Sequence, residues 1–442
     1  MLRRLSGFFE RNVERYMPDP LVVAILLTAV VLLLSVSLTS FDIIQTVDAW
    51  GGTFWGLLTF TTQMILIIAL GHIVAHTGPV QKGLLFVANK ITTAKMAYMS
   101  IVLVSSLCSL VSWGIGLVAP VILARAIARN LQEKGVKVHY PLLIAGGYAG
   151  SQVWHHGLSS SIPLSINTPG HFLESTMGLI ATGGTIFSNF SMSIALFVIL
   201  TLPFLYVHLA PGKGEEIKEF KEMVKVDEPV VDDFVPETPA EKLENTPILT
   251  ISLGGLGAFY IVMFFMNGGG LNLNIMNLTF LSTGLLFSKN VKHFVELLGN
   301  AAKVIGPFLI QYPMYAGLMG VMAASGLGQM IVEFFVSFAT AETLPLWTFI
   351  SAGMLNLFIP SGGGQWAVQG PIVVEAAIQL GTDLPRIAMA VAFGDTWTNA
   401  IQPFYAVPVL AIAGLNIRDI LGYGFILLIF MGLVLGGALY FF

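Results

Sequence analysis

Charge is scarce in this chain: Asp, Glu, Lys and Arg make up 10% of its 442 residues, while 55% are hydrophobic. That scarcity excludes a nucleic-acid surface, which needs clustered cations to neutralise phosphates, and it excludes a soluble globule, which carries far more charge. A single cysteine, Cys108, excludes an internal disulfide framework. No Walker A, HExxH or GxSxG spacing occurs. Direct ATP drive and the common protease and esterase chemistries are therefore not indicated, and a lone Gly394-Asp395 does not make a catalytic carboxylate pair. The chain does not read as an enzyme.

What is present is a series of apolar runs of about twenty residues, the length that crosses a hydrocarbon core. Hydropathy gives nine crossings, near 19–39, 54–75, 140–168, 186–209, 247–266, 275–288, 304–323, 386–411 and 419–441. Two further stretches, 96–129 and 345–380, would be roughly 50 Å long as single helices at about 1.5 Å per residue, well beyond a core of roughly 30 Å. Each is interrupted at its middle, by Ser112-Trp113-Gly114-Ile115-Gly116 and by Pro360-Ser361-Gly362-Gly363-Gly364-Gln365, and each is expected to form a re-entrant hairpin. The expected fold is an all-α polytopic membrane protein with about nine transmembrane helices and two oppositely oriented hairpins.

The basic residues support that layout. With the N-terminus cytoplasmic, every Lys and Arg except Arg386 falls on the inside, as the positive-inside rule requires. The first hairpin, with Lys95 at one foot and Arg125 and Arg129 at the other, opens from the cytoplasm; the second, flanked by Glu342 and Asp383, opens from outside. Residues 19–209 and 275–442 then form an inverted repeat joined through a connecting helix and loop at 247–274. The letters echo faintly, Trp113 to Pro120 against Gly364 to Pro371, and Gly150 to Trp154 against Gly394 to Trp397. Residues 1–18 place arginines opposite apolar side chains and are expected to lie on the membrane surface. Residues 210–246 form an acidic cytoplasmic linker with no assigned chemistry.

Paired interruptions in inverted halves point to a carrier's binding site. The crossings after each hairpin are broken too, at Trp154 to Pro163 followed by Asn167-Thr168-Pro169-Gly170, and at Asp395 to Pro403. Free backbone in hydrocarbon is costly, so these segments must face protein or water. Exposed amide ends of half-helices suit a carboxylate; carbonyl ends and Ser, Thr and Asn oxygens suit a cation. No Lys or Arg lies deep in a span. The expected substrate is therefore a small carboxylate, accompanied by H⁺ or Na⁺, with no resident cofactor or metal.

Candidate substrate-binding residues are Ser112, Trp113, Gly114, Ser361, Gly362, Gly363, Gly364, Gln365, Trp366, Asn399 and Gln402. Candidate coupling residues are Asp395, Thr396, His155, His156, Ser165, Asn167 and Thr168. Each has a plainer alternative. Glycines can mark close helix packing, Trp113 can be an interfacial anchor, and Ser165, Asn167 and Thr168 can cap a helix. Gln365, Asn399 and Gln402 can satisfy broken backbone. For Gly362 to Gly364, a run of three after Pro360, the functional reading outweighs packing, and among the ionisable residues a role for Asp395 is favoured, because a carboxylate within a span is costly. His72 and His76 share a helical face at i, i+4, but no third metal ligand is visible.

Met17-Pro18-Asp19-Pro20, the run Pro360 to Trp366 with Val368-Gln369-Gly370-Pro371, Gln402-Pro403-Phe404, and Ala413-Gly414-Leu415 with Arg418-Asp419-Ile420 resemble the bacterial short-chain fatty acid transporter family, which includes acetoacetate and butyrate uptake carriers. The resemblance covers nearly the full length. It implies a carrier for short-chain monocarboxylates in the bacterial cytoplasmic (inner) membrane, within a wider ion-transporter superfamily where homodimers occur. His155-His156 stand where relatives tend to carry glycine, and Asp395 where some have Glu, which leaves substrate and coupling ion open. A related dicarboxylate carrier or an Na⁺/H⁺ exchanger is the alternative; an intramembrane enzyme fits poorly.

Overall fold

The computed structural model describes residues 20–212, 217–220, 237–306 and 308–442. The segment 1–18 and much of the linker 210–246 lie outside the described residues, and no strand occurs within them. The first half contains α1 (Pro20–Leu38), α2 (Ile43–Thr53), α3 (Leu58–Ala75), α4 (Gly78–Lys90), α5 (Ala94–Val111), α6 (Trp113–Glu133), α7 (Tyr140–Gly150), a 3₁₀ segment (Ser151–His156), α8 (Ser161–Ile166), α9 (Glu174–Met177) and α10 (Asn189–His208). After α11 (Pro239–Asn245) and α12 (Ile248–Met266) come α13 (Leu273–Phe287), α14 (Val291–Ile305), α15 (Phe308–Ser325), α16 (Leu327–Phe338), α17 (Leu344–Asn356), α18 (Gly362–Leu380), α19 (Leu384–Asn399), α20 (Pro403–Ala413) and α21 (Ile417–Phe441). The order two helices, an 18-residue helix, a shorter helix, a helix pair, a broken helix and a long helix thus occurs twice, on either side of α12, with opening helices of 19 and 11 residues in the first half and 15 each in the second.

Among the described residues, seven helices are long and apolar enough to cross a membrane: α1, α3, α5, α6, α10, α12 and α21. The count is eight if α15 and α16, bent by 76° where they meet, make one span. The chain is therefore a multi-pass membrane protein. The two crossings expected to be broken are so: 140–168 divides into α7, the 3₁₀ segment and α8, and 386–411 divides into α19 and α20. The 275–288 crossing is the 15-residue α13, short of the roughly twenty residues a perpendicular span needs. The arms at 96–129 are each long enough to span alone.

At both long apolar stretches the chain doubles back. Ser112 is extended (φ −156°, ψ 132°) between α5 and α6, and Ser105 Oγ reaches Gly116 O at 3.5 Å; on a straight helix at about 1.5 Å per residue these residues would stand far apart. In the second stretch Pro360, which has no N–H for a helical bond, precedes Ser361, whose Oγ accepts from Gly364 N at 3.3 Å and caps α18. Gln369 Nε2 donates to Ser351 Oγ at 3.0 Å, and Thr382 Oγ1 donates to Ala341 O at 3.1 Å. These pairs bracket the turn symmetrically.

The Gly150 and Gly394 echo has a packing cause. A Cβ on Gly150 would sit 2.4 Å from Val102 O and 2.7 Å from Ser105 Cβ; one on Gly394 would sit 2.5 Å from both Ala352 Cβ and Phe349 O. In each half a glycine lets the broken helix touch the first hairpin arm. Polar ties follow the same scheme: Ser105 Oγ donates to Gly147 O at 2.5 Å, and Asn356 Nδ2 donates to Asp395 O at 2.9 Å.

α12 packs Gly254 and Gly257 on Ser282 and Leu286 of α13, a small-residue contact that lets two backbones approach. Its remaining face, including Leu256, Phe259 and Met266, is exposed and suits lipid. Arg386, the cation outside the charge pattern, donates to Leu439 O at 2.8 Å and Phe442 O at 2.9 Å, satisfying carbonyls at the negative end of α21. Arg386→Gln is expected to cost about 1–2 kcal/mol, seen as a lower thermal midpoint in detergent, with Arg386→Lys recovering part; an unchanged midpoint would remove this capping role.

Candidate functional site

The first break, from the end of the 3₁₀ segment to the start of α8, lies between the two hairpin turns. On one side Trp113 N donates to Ser159 Oγ at 2.8 Å and Leu158 N donates to Leu110 O at 2.7 Å. On the other, a Cβ on Gly362 would lie 2.8 Å from both His155 Nε2 and Ser161 Oγ. The second break joins the same cluster. His155 Nε2 stands 3.3 Å from Asp395 Oδ2, Tyr148 Oη donates to Asn399 O, and Gln402 Nε2 donates to Asn356 O and Leu357 O at 3.2 Å each. All four interruptions are thus linked by contact.

Around the second turn, Ser361 Oγ lies 2.9 Å from Tyr312 Oη. Gly363 faces Tyr312, Phe60 and Met64, and Gly364 faces the Tyr315 ring. Gln365 Nε2 donates to Ala352 O at 2.8 Å and Gln369 Oε1 at 3.0 Å, clipping the arms together while its Oε1 is buried without a partner. Trp366 is fully buried in an apolar cluster with Ile162 and Ile166. Asn399 Nδ2 donates to Asp395 Oδ2 at 3.0 Å. Asp395 Oδ1, Ser161 Oγ, Ser165 Oγ and Thr396 Oγ1 are buried without hydrogen-bond partners. Burying such atoms unpaired costs about 1–3 kcal/mol each, which fits a place where polar groups serve a transient ligand.

The other candidates are placed differently. Ser112 and Gly114 pack on Gly71 and His72 of α3, with Ser112 Oγ buried and unpartnered. His156 turns from Asp395: its Nδ1 lies 2.8 Å from Ser191 Oγ and its ring lies against Phe393. Asn167 Nδ2 donates to Leu271 O at 2.9 Å, and Thr168 Oγ1 accepts from Leu273 N at 3.0 Å, so both tie the segment after α8 to the start of α13. The rings of His72 and His76 are 4.2 Å apart; among the described residues no group of three potential metal ligands forms.

Asn356, Tyr312, Ser160 and Ser161 belong to the cluster without having been singled out from sequence. Asn356 Nδ2 lies within hydrogen-bond reach of Asp395 O, Thr398 Oγ1 and Asn399 Oδ1. Its signal was available as the one amide at the end of an apolar arm, 251 positions after Ser105, the spacing that also relates Trp113 to Gly364.

Two curated relatives, each named provisionally as a short-chain fatty acid transporter, come from Escherichia coli (strain K12), 39% identical over 98% of both chains, and Haemophilus influenzae (strain ATCC 51907 / DSM 11121 / KW20 / Rd), 36% identical over 100% of both. The crystal structure of the Alcanivorax borkumensis YdaH transporter, described as having an unusual topology, shares the fold with a TM-score of 0.61. It is 15% identical and covers 95% of this chain and 98% of its own. The family model for the short chain fatty acid transporter matches residues 1–442, and with relatives of that identity over the full length, this chain belongs to the short-chain fatty acid transporter family.

Proposed function

We propose that the chain carries short-chain monocarboxylates such as acetoacetate or butyrate across the bacterial cytoplasmic membrane, coupled to H⁺ or Na⁺ and by alternating access. The observation that carries this reading is the junction of Gly362 with His155 and Ser161, where the second hairpin of one half meets the broken helix of the other. Among the described residues no Lys or Arg is fully buried, and Asp395 is the one buried Asp or Glu. A site of hydroxyls, amides and half-helix ends suits one carboxylate with a companion cation, whereas a dicarboxylate would need a second anion site.

The repeated element order around a single connecting helix, with the Lys and Arg distribution, supports an inverted repeat with a cytoplasmic N-terminus and hairpins entering from opposite faces. Rocking one half against the other would then expose one site to each side in turn. The test is uptake of labelled acetoacetate and butyrate into proteoliposomes. Protein-free liposomes set the background, because protonated butyric acid crosses lipid unaided. Saturable uptake of both acids, displaced by unlabelled butyrate but not by succinate, is expected. Equal displacement by succinate, or no uptake above background, would overturn the proposal.

A further inference from the structure

We propose that His155 and Asp395 together hold the coupling ion, that this ion is a proton, and that one proton moves with each carboxylate, so that the cycle carries no net charge. This rests on the monocarboxylate reading above. Both side chains are buried, with His155 Nε2 3.3 Å from Asp395 Oδ2. The imidazole cannot turn freely: Nδ1 lies 2.9 Å from Ser160 Oγ, and the ring stacks on Trp154 at 3.6 Å between centroids. Asn399 donates to the same Asp395 oxygen, leaving Oδ1 buried and unpartnered.

Among the described residues the surroundings offer no other charged side chain. Facing the pair are His156, directed to Ser191 of α10; Tyr312 of α15, held by Ser361; Tyr405 of α20; and Tyr148 of α7, bonded to Asn399 O. α17 and α8 carry no ionisable side chain, and the one on α18, Glu375, lies near the hairpin's foot. With one proton the pair is neutral overall. Without it, a bare carboxylate is buried unneutralised, which is costly and repels a second carboxylate. With two protons the pair carries a single positive charge, which would neutralise a bound substrate. Proton and carboxylate therefore favour each other's binding. An imidazole at the carboxylate also disfavours Na⁺, a hard cation that takes oxygen ligands.

In each cycle one H⁺ from the outside water joins the singly protonated pair as RCOO⁻ binds. Both leave to the cytoplasm, and the pair returns with its remaining proton. The contact at Gly362 joins this charge switch to the hairpin: the turn's backbone rests on His155, so the proton-loaded pair and the substrate-facing turn move as neighbours.

Two measurements on the full-length protein test the inference. Infrared titration of purified protein should show a protonated-carboxyl band that Asp395→Asn deletes and His155→Gln shifts by about one pH unit or more; a band unaffected by both variants would overturn the site. In proteoliposomes, initial acetoacetate uptake above the protein-free background should follow an imposed pH gradient. It should respond less than about twofold to a Na⁺ gradient or a K⁺ diffusion potential, and both variants should lower net uptake about tenfold more than acetoacetate exchange, with Asp395→Glu restoring part of the loss. Drive by Na⁺ or by the potential would overturn it. If the wild type carries no acetoacetate at all, the substrate reading falls, and the infrared titration alone decides the proton site.

Discussion

A methyl group at Gly362 is expected to lower uptake by roughly tenfold to a hundredfold while the protein still inserts and remains monodisperse, because overpacking costs about 1–3 kcal/mol and each 1.4 kcal/mol is about tenfold. The added Cβ would come within 2.8 Å of His155 Nε2 and Ser161 Oγ. His155 cannot step aside cheaply, since it is pinned by Ser160 and Trp154. Gly363→Leu should abolish uptake, because even its Cβ would lie 3.0 Å from Tyr312 Oη and 3.1 Å from Phe60. The contrast is Gly83→Ala in α4, where no atom lies within 4 Å and alanine favours a helix. Uptake normalised to membrane-inserted protein measures the difference; wild-type uptake by Gly362→Ala would show that this contact has no part in transport.

The interruptions were legible because their cause is local. Pro360 removes a donor, and Ser361 supplies a cap for the helix that follows. The partners were not legible, since the approach of His155 to Asp395 spans 240 positions and leaves no periodic trace. Adjacent histidines read alike in the sequence, yet His155 faces Asp395 and His156 faces Ser191, because successive residues on a helical turn point in different directions. Asn167 and Thr168 show the converse: their polarity was visible, but it serves Leu271 O and Leu273 N at a chain crossing. Arg386 looked like an exception to a charge rule and proves to close a helix end. The Gly150 and Gly394 echo, faint as letters, is strict as packing, since both positions admit no Cβ.

Asn356→Leu is expected to damage both transport and stability. The amide nitrogen lies 2.8 Å from Asn399 Oδ1, 2.9 Å from Asp395 O and 3.0 Å from Thr398 Oγ1. This one side chain therefore anchors a hairpin arm to the break that carries Asp395. Leucine has similar volume but offers no donor, and buried acceptors left unpaired cost about 1–3 kcal/mol each. The expected result is a thermal midpoint several degrees lower, with uptake reduced about a hundredfold or more, because 1 Å of misplacement alone can cost a factor of about 10². Asn356→Asp should be worse, since it sets a second buried carboxylate beside Asp395. Ser105→Ala, which removes the matching tie to Gly147 O, should cost only about 1 kcal/mol, since one neutral bond is lost. If all three variants instead behave alike, the two arms are held by apolar packing, and the asymmetry that places the buried charge in the second half contributes nothing to how that hairpin is anchored.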